Sequence, residues 1–357
     1  MTSSIPSVEL AAAQALWDPE TVYLNTASYG LPPRPAFDAL TAAQDEWRHG
    51  RTSWEKWGEA TEISRGIFAE LVGANVEDVA IGATVSEFTG MIANSLPEGA
   101  HVIVPDMEFT SNLFPYFTHP DRGVTVETVA SARLAEAIGP STTAVAFSAV
   151  QSSSGDVADL DAIETAAAKH DVLTIVDGTQ GCGWLPLDAT RFDFFVVHGY
   201  KWLMSPRGTS FLYLNPEQRE RVRPLSAGWY AGEDVHDSYY GPPLRLAESA
   251  RRFDRSPVWF SWVGTQPSLE LIRNVGIEAI NAHNVRLANL FRTEMHLKPG
   301  NSAIVSVETS VESHELEKEG IQAASRAGNL RLSFHIYNTE RDVEILVKAI
   351  AQQRSGT

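Results

Sequence analysis

VLTIVDGTQGCGWLPLDATRFDFFVVHGYKWLMSPRGTSFLY, residues 172 to 213, decides how the rest of the chain is read. Two apolar runs sit in it, Val172 to Val176 and Phe192 to Val197, the second broken only by Asp193. Each ends in polar residues. The first closes on Asp177 with Gln180 a turn later, the second on His198, Tyr200 and Lys201. Short, continuous apolar runs of this kind predict strands buried on both faces of a parallel sheet. In open α/β sheets, ligands bind past the carboxyl ends of the strands. An acid and a lysine at two such ends are therefore expected to face one site.

Burial penalises the ammonium form, so a lysine in apolar company can lose its proton. A neutral lysine can form a Schiff base with an aldehyde. Pyridoxal phosphate needs that lysine and an acid against its pyridine nitrogen. Asp177 and Lys201 suit both roles. A structural salt bridge at a sheet edge would use the same two residue types.

The longer pattern separates these readings. An Asp, a Gln three residues on, a Lys two dozen residues after the Asp, an apolar pair and a Pro-Arg-Gly turn follow in order. VDGTQGCGWLPLD and HGYKWLMSPRG together resemble the cofactor site of the class V aminotransferases. That family includes cysteine desulfurases, selenocysteine lyases, isopenicillin N epimerase-like enzymes and kynureninases. The resemblance implies a PLP-transferase fold of type I: an α/β large domain with a mostly parallel mixed sheet between helices, and a small α+β C-terminal domain. The division expected is residues 18–262 for the large domain, with 1–17 and 263–357 forming the small one.

The surrounding chain agrees with this. Residues 6 to 17 predict a short amphipathic helix, and 34 to 72 are helical by the spacing of Ala, Leu, Trp and Phe. Trp47, Trp54 and Trp57 interrupt a polar face there; each suits a core position or a substrate entrance. From 79 to 213 strands and helices alternate, which argues for parallel strands with helical crossovers. Val79-Ala80-Ile81, then Gly82-Ala83-Thr84, then a helical stretch is an arrangement that cradles phosphate, although a plain N-cap would look the same.

The resemblance assigns further roles. Lys201 and Asp177 are the catalytic pair, with Lys201 also taking the Cα proton. Ala83 and Thr84 match the phosphate-binding positions. Phe109 stands where relatives stack an aromatic or histidine on the ring. Gln180 and Ser152 lie near the 3-hydroxyl, Ser152 where relatives usually carry Asn. His198 lies where relatives place a phosphate-binding hydroxyl, and Tyr200 takes the place of a histidine. Arg331, in RLSFHIYNT, matches the arginine that binds the substrate carboxylate, and Asn25, in YLNTASYG, lies near that carboxylate. Gly264-Thr265 resembles the segment that reaches the partner's cofactor phosphate, implying a homodimer. An amino acid is the implied substrate, through transamination, β-elimination of a C–S or C–Se bond, or epimerisation.

Composition narrows the partners. Of 357 residues 43% are hydrophobic, enough for a large core. A formal charge of −17 argues against nucleic acid and anionic membranes as partners. No apolar run is long enough for a membrane span, and the opening residues lack a signal-peptide pattern, so a cytoplasmic enzyme is expected. Cys182 is the one cysteine, so no disulfide and no multi-cysteine metal site is expected. It lies beside Gln180, and no cysteine follows in the C-terminal half. That argues against a desulfurase working through a protein persulfide.

Overall fold

The computed structural model describes residues 9 to 52 and 54 to 355. The chain opens with α1 (Leu10–Gln14), the short strand β1 (Val22–Tyr23) and two long helices, α2 (Arg34–Arg48) and α3 (Trp54–Leu71). The single helix expected over 34–72 is thus two. Gly50 takes a left-handed φ of 69° just past the end of α2, as a helix-stopping glycine does. Residues 6–8 of the first expected helix lie outside the described residues.

The core of the molecule is a sheet built from β2 (Val79–Gly82), β3 (His101–Pro105), β4 (Thr125–Val129), β5 (Ala144–Ser148), β6 (Leu173–Asp177), β7 (Phe194–His198) and β8 (Ser210–Leu214). Among the described residues their order is β2-β8-β7-β6-β5-β3-β4. β3 to β7 run parallel, and β8 runs against both of its neighbours. The helices α4 (Val85–Ser95), α5 (Thr110–Phe117), α6 (Leu134–Ala137) and α7 (Leu160–His170) form crossovers. Every residue of β5, β7 and β8 is buried, while edge strand β4 is largely exposed. That explains why the central strands read as unbroken apolar runs. The parallel topology brings the ends of β2, β3, β5, β6 and β7 to one edge of the sheet. The start of β8, antiparallel, returns the chain to that same edge.

After β8 the chain is irregular until α8 (Trp259–Val275) and α9 (Ile277–Glu294). A second sheet follows, in the order β11-β12-β9, from β9 (Ile304–Val307), β11 (Ala324–Arg326) and β12 (Asn329–Ser333). Helix α10 (Ser313–Lys318) and strand β10 (Ile321–Gln322) lie between β9 and β11, and α11 (Glu340–Ser355) closes the fold. This unit has its own apolar cluster, which includes Leu287, Phe291, Leu316, Leu330 and Leu346 and also draws in Leu24. β1 pairs in parallel with β10. By contrast, α8 packs on α2 and α3 of the large unit. On packing we place the end of the large unit after α8, at Gly276, and assign β1 to the small one.

Candidate active site

The edge where the strands end carries a cavity of about 150 Å³. Thr84, Phe109, Ser152, Asp177, Gln180, His198, Tyr200 and Lys201 line it, together with Val85, Ser111, Thr179 and Arg207. The sheet register explains the gathering. Asp177 ends β6 opposite Ser148 of β5 and Val196 of β7, and His198 ends β7. Loops leaving those ends carry Phe109, Ser152, Gln180 and Lys201 to one place. A larger cavity of about 520 Å³ lies at the opposite edge, beside Thr143, Leu173 and Phe194 where strands begin, away from this chemistry.

Two glycines make the close packing possible. A Cβ on Gly178 would lie 2.2 Å from the Phe195 ring. A Cβ on Gly30 would lie 2.0 Å from the Lys201 carbonyl oxygen, and the Gly30 N–H donates to the Tyr200 carbonyl at 2.9 Å. The N-terminal turn therefore rests directly on the lysine loop, with Tyr29 against Tyr200 at 5.3 Å between ring centres.

Lys201 is buried, with Nζ 5.1 Å from the Phe109 ring centre and 5.6 Å from that of Tyr200. Desolvation pushes its amine down to about 8; Asp177 opposes the shift, while Arg331, Arg326 and Arg207 add to it. Burial raises the Asp177 carboxyl, opposed by hydrogen bonds from Thr179 and by Lys201; the Thr179 N–H donates to Oδ1 at 2.8 Å. Desolvation, helped by Arg207 and Lys201, pushes His198 down to about 3, so its ring is neutral at pH 7. Its Nε2 is buried without a partner. Arg207 lies over the Tyr200 ring at 4.8 Å, at this end of the cavity.

Thr84 precedes α4 in an extended conformation and its side chain makes no cap hydrogen bond, and while Glu87 of the first turn accepts from the Ala83 N–H at 3.4 Å, the Thr84 hydroxyl leaves the first N–H groups of the helix free. Together with the dipole they favour a dianion. Ala83 borders the adjoining small cavity instead, with Arg255, Ser256 and Val258.

One expected role is corrected. Thr265 sits inside α8, fully buried, and donates to the Ser261 carbonyl at 2.8 Å. Gly264 packs on Pro206 of the same chain, where a Cβ would lie 2.7 Å away. Both are buried within this chain. Gln180 lines the cavity, but its Nε2 donates to the Ala27 carbonyl and to Ser152 Oγ, each at 3.0 Å, and its Oε1 accepts from Trp202 Nε1 at 2.8 Å. Both amide hydrogens have partners within the chain, Ser152 of the same cavity among them, so Gln180 also braces the cavity wall.

Arg331 is buried on β12. Its Nη1 donates to the Ser152 carbonyl at 2.7 Å and its Nη2 to Ser28 Oγ at 2.6 Å. Desolvation, then Arg326, lowers its pKa to about 10, which leaves it charged at pH 7. Asn25 begins the turn that carries Ser28, and its Oδ1 is buried without a partner. Reading the sequence missed Ser28, Glu108, Arg207 and Arg326. Glu108 is the least legible. It is buried and accepts from the Ser148 N–H (2.8 Å), the Ser148 hydroxyl (2.5 Å), Gln151 Nε2 (3.0 Å) and the Phe109 N–H (3.0 Å). It thereby ties the Phe109 loop to β5.

A fold-type I architecture and a buried lysine–aspartate pair define the class, and comparison with known proteins agrees. The family model described as aminotransferase class-V matches residues 48–314, and the chain belongs to that family. It is 27% identical over 350 residues to the uncharacterized aminotransferase YcbU of Bacillus subtilis, spanning 92% of this chain and 93% of that one. It is 26% identical over 391 residues to an isopenicillin N epimerase of Streptomyces clavuligerus, spanning 96% and 97%. Among solved structures, the cystine C–S lyase C-DES in complex with cysteine persulfide superposes with a TM-score of 0.84 at 21% identity, over 93% of this chain and 97% of that one. The chain is an α/β enzyme of this family. The family's cofactor, pyridoxal phosphate, fits the residues present: an amine, an acid, a ring face and an uncapped helix start share one cavity.

Among the described residues, no helix is long and apolar enough to cross a membrane.

Proposed function

We propose that this enzyme binds pyridoxal phosphate on Lys201 and acts on an amino acid, as an aminotransferase. One observation carries the reading: the Lys201 amine, pushed down to about 8, lies in one cavity with the buried Asp177 carboxyl. Near neutral pH a useful fraction of such an amine is unprotonated, and that form attacks an aldehyde. When bound, the cofactor supplies an electron-withdrawing ring that stabilises negative charge at the substrate Cα. Asp177 holds a proton at the ring nitrogen. Phe109 covers one ring face, with Glu108 fixing its loop. The start of α4 and the neutral His198 face the phosphate. Lys201 would move the proton at the substrate Cα. Arg331 orients the α-carboxylate through its planar fork.

Cys182 is buried, and its thiol is pushed up to about 12 by burial alone. A thiol so placed is not available as a sulfur carrier, which supports amino transfer over a persulfide relay. A β-eliminating lyase is the second reading, favoured by the likeness to a C–S lyase. A cytoplasmic homodimer is part of the proposal, with no contact through Thr265; sedimentation of a single monomeric species would remove the dimer.

Borohydride reduction followed by peptide mass analysis tests the link to Lys201; an unmodified Lys201 peptide overturns it. An amino-acid screen then separates the reactions. Stoichiometric build-up of the amine form of the cofactor indicates transfer. Continuous keto acid release without an acceptor indicates elimination.

A further inference from the structure

β11 and β12 form a hairpin whose turn is only two residues. Ala327 and Gly328 both take left-handed backbone, with φ of 49° and 82°, and Arg326 pairs with Asn329 across it. Such a primed two-residue turn locks the register. Ala324 stands opposite Arg331, and Arg326 follows two residues on, so Arg326 and Arg331 share one face of the hairpin as diagonal neighbours. Their side chains converge. Ser28 Oγ accepts from Arg331 Nη2 at 2.6 Å and from Arg326 Nη2 at 3.3 Å. The turn carrying Ser28 is itself held on this face, since Ser333 Oγ accepts from the Ala27 N–H at 3.0 Å and donates to the Leu24 carbonyl at 3.1 Å.

Two guanidinium groups this close repel one another unless an anion lies between or beside them. Many arginines of this acidic chain find acids, although others, such as Arg122 and Arg292, bond to carbonyls and amides instead. Arg65, Arg191, Arg219, Arg255 and Arg286 all form ion pairs. Among the described residues, neither Arg326 nor Arg331 does; their partners are hydroxyls and carbonyls. Both charges are felt at Lys201. One α-carboxylate answers one of the two. Arg331 is buried and deep, while Arg326 is exposed at the outer end of the same face, with Tyr29 beside it on the N-terminal turn.

We propose that this hairpin selects an amino acid carrying a second acid: the α-carboxylate binds at Arg331 and a side-chain carboxylate at Arg326. The assignment rests on Arg331 as the α-carboxylate anchor and names the substrate class, a dicarboxylic amino acid. The tight turn fixes the spacing between the two anchors, so the site measures the distance between two acids as well as counting them.

Amine-free acids test this without any reaction. The protein loaded with pyridoxal phosphate is titrated calorimetrically with succinate and glutarate, and with butyrate and pentanoate as single-acid counterparts. At least one diacid is expected to bind about tenfold more tightly than its counterpart, the size of one charge-assisted hydrogen bond. Arg326→Gln is expected to bring the diacids to the affinity of the single acids, and Arg326→Lys to keep part of the difference. Equal affinity of diacids and single acids in the natural protein overturns the proposal. So does an Arg326→Gln change that weakens both kinds by one factor, because both guanidinium groups would then share a single carboxylate. Either failure leaves the Lys201 link standing, since that is read separately by mass.

Discussion

Two regions bury positive charge in opposite ways. Arg65, on α3, is 1% exposed, and each of its N–H-bearing nitrogens has a partner. It meets Asp254 through Nη1 (3.0 Å) and Nη2 (2.6 Å), Glu62 through Nε (2.9 Å) and Nη2 (3.1 Å), and the Val79 carbonyl (2.7 Å). Tyr230 donates to Glu62 at 2.7 Å and the Ile81 N–H to Asp254 at 2.8 Å. The two carboxylates hold Arg65 firmly protonated. Lys201 and Arg331 are also hidden, yet the hydrogen-bond partners of Arg331 are neutral and its charged neighbour is Arg326, and Lys201 is driven towards its neutral form in spite of Asp177. A buried cation closed by carboxylates fixes the β2 strand and the 250–254 segment to α3. Buried cations that carboxylates do not close off keep their charge, or their lone pair, for a ligand.

The sharpest way to break this comparison is at Lys201. Lys201→Ala is expected to lower kcat/KM for the best amino acid by at least about a thousandfold, with the fold kept by circular dichroism. Retained turnover would remove the assignment. Asp254→Ala attacks the other region. Leaving Arg65 without one of its two carboxylates should cost about 3 to 5 kcal/mol in urea unfolding, whereas Arg65→Met with Asp254→Leu should cost much less. A small loss for the single change would show that the closed cluster is not a fastening.

A pH series sharpens the contrast. In cofactor-free protein the Lys201 amine titrates near 8 when folded and near the ordinary lysine value of 10.5 when unfolded. Between those values the unfolded chain binds more protons, so stability rises with pH across that window, and the penalty is fully present below about 8. Lys201→Met should remove that rise, worth up to about 3 kcal/mol, and be the more stable protein at pH 7. A parallel pair of stability curves would contradict it. The smallest effect belongs to the ring face: Phe109→Ala should weaken cofactor binding about tenfold, and Phe109→Tyr should not. Fluorescence titration with pyridoxal phosphate measures both.

The fold was legible because buried parallel strands write themselves as apolar runs that stop at polar residues. Asp177, His198 and Lys201 lie where such runs end, and the topology joins the ends. The Ser28–Arg331 contact is different in kind. It links positions 303 apart through a hairpin and a parallel pair of two-residue strands, too short to carry a period. Thr265 was misread for a local reason. Ser261, Thr265 and Ser268 are small polar residues on the buried side of α8, where Thr265 satisfies its hydroxyl on the preceding turn. A Gly-Thr pair inside a helix looks in sequence like one in a loop. Gln180 was placed correctly, but its partners Ala27 and Trp202 come from separate parts of the chain, so its hydrogen bonds could not be counted beforehand.

The pairing of Val22–Tyr23 with Ile321–Gln322 has a consequence for synthesis. On the ribosome, the first strand emerges with the whole of the large sheet still to come before its mate. The lysine-bearing sheet can be complete well before that. The turn bearing Ser28 and Gly30 therefore settles over the lysine loop as a last act of assembly. Trimming either terminus past these strands should leave the same defect: an intact sheet with an uncovered mouth.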